Sequence, residues 1–204
     1  MARPLAEELS RDGEQFKFGA SKPAAPWSSQ PVMGLILTDT EIERLITLRK
    51  PLPKGWRRRL QLRRRRSEAQ TRCQLSAPAD GNDFVIKCRQ STENPLDFSV
   101  ILVWRDNSGN EYRLLRCNGP HPSDHTNRWE KVQGKTDHTF GPCFHIHKAT
   151  QRYQEAGLKI DGYAQPTDSY SDCHAALLHL VGACGFIDPE PPGDSHPRLF
   201  GDME

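Results

Sequence analysis

Three consecutive segments, residues 83–89, 97–105 and 111–117, alternate apolar and polar side chains with a period of two, and this pattern narrows the choice of folds more than any other. The last two are joined by Asp106-Asn107-Ser108-Gly109-Asn110, residues that tolerate the tight backbone of a hairpin loop. In the middle segment Phe98, Val100, Leu102 and Trp104 share one face, while Ser99, Ile101 and Val103 share a second, partly apolar face. A meander of this kind needs helix over one side. The predicted class is therefore α+β: an antiparallel β-meander sheet packed with a short N-terminal helix and two C-terminal helices.

The helical signals bracket the meander. Thr38 to Glu41 has the form of a capping box, with Leu37 and Ile42 placed as a hydrophobic staple; Ile42, Leu45, Ile46 and Leu48 then form an apolar stripe that stops before Pro51 and Pro53. Residues 148–156 form a second predicted helix, ended by Gly157 and followed by a short extended piece over 158–163. Residues 169–184 form a third, with Ala175, Ala176, Leu178, Leu180 and Val181 on its apolar face and Gly185 as its stop. Residues 71–75 and the alternating stretch from Trp56 to Arg63 are further strand candidates, the latter with Leu60 and Leu62 inward and arginines outward. Residues 128–141 are polar and read as a loop.

The Pro-rich stretch 1–32 is expected to be a disordered arm, residues 33–187 a single α+β domain, and residues 188–204 a Pro-rich acidic tail outside the core. No apolar run approaches the roughly 20 residues of a membrane span, and no signal core follows a basic N-terminus, so the expected compartment is cytoplasmic, without membrane association. Six cysteines without a CxxC pair fit reduced thiols there.

Chemistry concentrates in residues 114–148. His121 and His125 form one group and His145 and His147 another; Phe144 to Lys148 alternates, which puts the second pair on one face of a strand. Imidazoles in such numbers can hold a divalent metal, and His121, His125, His145 and His147 are the candidate ligands, with Asp124 as an oxygen option; the HxxxH and HxH spacings lack the specificity of paired CxxC motifs. The preferred alternative needs no cofactor. Metal-independent cleavage of an RNA phosphodiester calls for a base, an acid and a cation: His145 or His147 supplies the first two, Arg116 and Lys148 the third, and Tyr153 a donor or stacking surface.

Two stretches carry a family resemblance. Leu115-Arg116-Cys117-Asn118-Gly119-Pro120-His121, followed by Phe144-His145-Ile146-His147-Lys148, resembles the Arg-x-x-Asn-x-Pro-His and Pro-His-His-Lys-His segments of TumE-type toxins of bacterial toxin–antitoxin pairs. Over about residues 33–187 the chain also resembles an uncharacterised prokaryotic family with a Leu-Thr-Asp helix start, a meander, and His-x-His before Ala149-Thr150-Gln151-Arg152-Tyr153. The Arg-to-His stretch is one residue shorter here, and residues 123–141 and the C-terminal helical region have no counterpart in the small toxins. The resemblance implies a toxin-like protein that acts on RNA or another translation component, a ribonuclease in the catalytic case, restrained by a cognate antitoxin. Arg116, His121, His145 and His147 would be its functional positions.

A non-catalytic reading rests on charge. Residues 49–66 hold ten basic side chains and no acidic one, leaving 18 basic against 26 acidic elsewhere. Trp56 with Arg57, Arg58, Arg59, Arg63, Arg64, Arg65 and Arg66 would then dock nucleic acid or an acidic protein partner, with the histidines as architecture.

Overall fold

The computed structural model describes residues 35–62 and 70–189, all within one compact unit. The expected N-terminal arm, Arg63 to Arg66 and residues 190–204 lie outside the described residues. The architecture is α+β. Six strands form an antiparallel sheet: β2 (Gln70–Ser76), β3 (Asp83–Ser91), β4 (Phe98–Arg105), β5 (Glu111–Asn118), β8 (His145–Lys148) and β9 (Tyr163–Pro166), in the order β2-β3-β4-β5-β8-β9. The meander sits at its centre, and a bulge at Leu102/Val103, opposite Leu114, bends β5. Among the described residues no helix is long and apolar enough to cross a membrane.

One sheet face makes the apolar core. Ile86, Cys88, Phe98, Val100, Leu102, Leu115 and Cys117 pack there with helix α1 (Asp39–Thr47) and helix α5 (Cys173–Ala183). In α5 the buried leucine beside Leu180 is Leu177, whereas Leu178 turns partly to solvent, so the stripe lies one residue away from its expected position. At the start of α1, Thr38 accepts from the Glu41 amide, and Leu37 and Ile42 are both buried. The Glu41 carboxylate does not return to the backbone but takes two hydrogen bonds from Arg44. Asp39 instead caps helix α4 (Gln151–Glu155) by accepting from the Gln151 amide, which ties α1 to α4.

The stretch from Trp56 is not a strand. Trp56–Arg59 forms a single helical turn, α2, after Gly55. Trp56 and Leu60 are four residues apart and both 0% exposed, so the helical spacing buries them together. The Trp56 indole N–H donates to Asp188, which also pairs with Arg57, and the Arg57 guanidinium lies 4.5 Å over the indole ring. Trp56 therefore presents no face to a base. Asp188, assigned by composition to the tail, is part of this contact. Arg58 and Arg59 remain exposed.

Lys50 joins the ends of the two core helices. It lies in β1 (Lys50–Pro51), which pairs in parallel with β10 (Phe186–Ile187), and it is completely buried. Its ammonium donates to the carbonyls of Ile46, Leu48 and Cys184, each at 2.8 Å, and stands 4.6 Å from the Phe84 ring centre. Burial lowers its pKa to about 8, still above neutrality. Gly185, at φ 67°, ends α5, and a Cβ there would come 2.5 Å from the Thr47 carbonyl oxygen. Lys50→Met keeps the length but strands three carbonyls; the expected loss, read by urea denaturation at pH 7, is roughly 2–4 kcal/mol.

Candidate functional site

The second face of the sheet is polar where β5 meets β8. Register puts Arg116 opposite His147 and Asn118 opposite His145, all on the face away from α5. His145 and His147 are 1% and 3% exposed. The same alternation sends Lys148 to the core side, where its ammonium pairs with Glu43 of α1. Lys148 is thus separated from the histidines by the sheet. Tyr153 is buried, with its hydroxyl donating to Glu130, and lines the same cavity as His121, His125 and His147.

Residues 119–143 cover this polar face. They leave β5 through Gly119, where a Cβ would meet the Leu96 carbonyl oxygen at 1.7 Å, so only glycine fits the exit. The segment expected to be loop contains a two-stranded hairpin, β6 (His125–Thr126) with β7 (Thr139–Phe140), and a short helix, α3 (Arg128–Val132). Asn127 holds it to the sheet edge. Its side-chain amide donates to the Ala164 carbonyl and its oxygen accepts from the Ala164 amide, at 2.9 and 2.8 Å, copying a strand's hydrogen bonds. The residue at the N-terminus of α3 therefore makes no cap for its own helix. Glu130, also buried, anchors α3 to Arg152 and Tyr153 of α4.

This cover delivers His125 to the pair on β8. One ring nitrogen from each of His125, His145 and His147 lies within 4.8 Å of the others. His121 stands edge-on to His145 with ring centres 5.2 Å apart, bonded to Ser123, next to the trio but outside it. In each ring of the trio one nitrogen has a protein acceptor: His145 Nδ1 with the Cys143 carbonyl, His147 Nδ1 with the Asp161 carbonyl, and His125 Nε2 with Asn127 Oδ1. These acceptors require N–H on those atoms and leave a lone pair on the other nitrogen of each ring. Asn118 Nδ2 donates to His145 Nε2 at 3.3 Å, a bond that an ion on that nitrogen would displace, and the Asn118 Oδ1 is buried without a hydrogen bond.

Desolvation holds the trio neutral. Burial lowers the pKa of His145 to about 4 and of His147 to about 2, helped in the second case by Arg116; it also lowers His125, against the pull of Asn127 and the Gly162 carbonyl. Arg116 lies 3.0 Å from Asp161 Oδ2 without the alignment of a hydrogen bond, and burial draws its pKa down too. Beside the trio lies a cavity of 440 Å³ lined by Arg116, His121, Asp124, Arg128, Lys159 and Asp161, among others. The helix α2 arginines are elsewhere: α2 packs on β2, four strands from β8, on the order of 19 Å at 4.7–4.9 Å per strand. Asp161, Asn127, Arg128 and Lys159 carried no local signal; Asn118 did, two residues after Arg116 on the same strand face.

Compared with protein-family models, curated proteins and solved structures, the chain matches none.

Two outcomes follow from the site. An unfolded imidazole titrates near 6.5, whereas the folded His145 and His147 do so far lower. As pH falls through 6.5 the unfolded chain takes up protons that the native chain does not, so stability should decline from pH 7 to 5, approaching about 1.4 kcal/mol per pH unit for each imidazole. Urea midpoints across this range should give a shallower decline for His147→Gln than for the parent. Asn127→Ala should expose the Ala164 amide, raising its hydrogen-exchange rate at least tenfold, and cost about 2 kcal/mol.

Proposed function

We propose that the protein is a metal-dependent hydrolase whose divalent ion is held by His125, His145 and His147. The observation that carries this reading is the convergence of three imidazoles, each with one ring nitrogen bonded to a protein acceptor. That is how metal-binding histidines are oriented: the outer hydrogen bond selects the tautomer and aims the remaining lone pair. Tetrahedral zinc, with Zn–N of about 2.0–2.1 Å, sets ligand nitrogens roughly 3.3 Å apart, so the rings need to close by about 1.5 Å. An all-imidazole set favours zinc and its neighbours over magnesium or calcium. Three protein ligands leave a coordination position for water or a substrate oxygen, and an ion there supplies Lewis-acid chemistry.

The metal-free cleavage of RNA expected from the sequence makes a different demand. A general acid there must carry a proton near neutrality, and the burial of His145 and His147 opposes that state. Neutral imidazole is the metal-binding form. What favours RNA cleavage in either version is Arg116, a cation in register with His147.

Calorimetric titration of the chelator-treated protein with Zn²⁺ tests the reading. One ion per chain should bind with submicromolar affinity, His125→Ala and His147→Ala should each weaken binding at least 100-fold, and cleavage of labelled RNA, if present, should stop with chelator. Absence of saturable binding, or equal binding by the folded variants, sinks it.

A further inference from the structure

The cavity next to the three imidazoles has a charge pattern that the ligand role of the histidines does not use. Arg128 and Lys159 line it from different elements, α3 and the turn after α4, and both are exposed. Among the described residues neither side chain has a hydrogen bond or an ion pair, although acidic groups are plentiful in the chain. Arg116 supplies a third, half-buried cation, whose Nε lies 3.0 Å from Asp161 Oδ2 without hydrogen-bond alignment. The terminal nitrogens of this guanidinium make no protein hydrogen bond among the described residues and keep the fork that matches phosphate oxygens. Asp161, beside Arg116, and Asp124 also line the cavity, so its three cations stand against two carboxylates. With a divalent ion on the neutral histidines, the wall is strongly positive.

Size separates the anions that such a wall would take. At 440 Å³ the cavity is near the lower end of the roughly 300–1,000 Å³ typical of small-molecule sites. It is not a groove for a duplex, and the exposed arginines of α2 lie at the other edge of the sheet, where they cannot extend it.

We propose that this cavity is a phosphate subsite in which Arg116, Arg128 and Lys159 hold the phosphate group of a small ester, up to nucleotide size, against the ion. The assignment rests on the metal-centre reading above and deepens it by naming the substrate class. Arg128 and Lys159 meet the phosphate at the open side, and Arg116 meets it from the sheet.

Cobalt(II) substitution of the full chain tests both levels separately, because its visible spectrum reports the ion and the ligands in its open position. The parent and an Arg128→Gln, Lys159→Gln double variant are loaded with Co²⁺ and titrated with inorganic phosphate, with adenosine 5′-monophosphate and with a single-stranded oligoribonucleotide lacking terminal phosphate. The expected result is the same Co²⁺ spectrum in both proteins. Phosphate or the monophosphate should perturb it in the parent, with affinity at least tenfold weaker in the variant. Both positions are exposed, so the variant should fold as the parent does, which circular dichroism checks. If Co²⁺ gives no imidazole-ligated spectrum, the metal-centre reading falls and the subsite goes with it. If the ion binds but neither small phosphate changes the spectrum, or both proteins respond alike, the subsite alone is overturned. A response only to the oligonucleotide also overturns the small-ester assignment and indicates a polymer.

Discussion

Asn127 is the contact on which the site depends. A sheet face that carries two histidines, an asparagine and an arginine can be desolvated only if something covers it and satisfies its polar groups. The covering segment is itself mostly polar: Phe140 packs on the His125 and His145 rings, but Val132 of α3 is 81% exposed. Its attachment comes from the paired hydrogen bonds between the Asn127 amide and Ala164, reinforced by buried Glu130 against Arg152 and Tyr153. Asn127 Oδ1 also receives the His125 N–H, so the group that closes the cover also orients the imidazole it delivers.

Stability and chemistry occupy opposite faces of one sheet. The α5 side is apolar and closed at its end by Lys50, whose cage of carbonyls gathers the C-terminal ends of α1 and α5. The favourable charge at two helix C-termini explains why a lysine is tolerated at full burial. The other face carries Arg116, Asn118, His145 and His147 in adjacent register, a cost that burial of apolar groups on the first face must offset. This division also accounts for Lys148, which one residue of alternation assigns to the structural side.

The elements easiest to read were those with long, regular periodicity. The meander, the neighbouring strand at residues 70–76 and the helices at both ends follow from apolar spacing, because burial of one face is what selects them. The stretch from Trp56 misleads because Trp56, Leu60 and Leu62 satisfy both a spacing of two and a spacing of four; the indole fits a buried helical turn, where Asp188 meets its N–H. The α3 segment and the β6–β7 hairpin were missed for the opposite reason. They are polar and held by side-chain hydrogen bonds rather than by an apolar stripe.

The sequence by itself determined an α+β class, a central meander, and a strand with His145 and His147 on one side, because each is a matter of local period. Only the tertiary structure decided which histidine joins them, which nitrogen of each ring is committed, and that Arg116 meets Asp161. Those features depend on partners far apart in the chain, Asn127 with Ala164 and His147 with Asp161, and on desolvation by a segment that folds over the sheet. Hydrogen bonding and burial act through space, and no spacing along the chain encodes them.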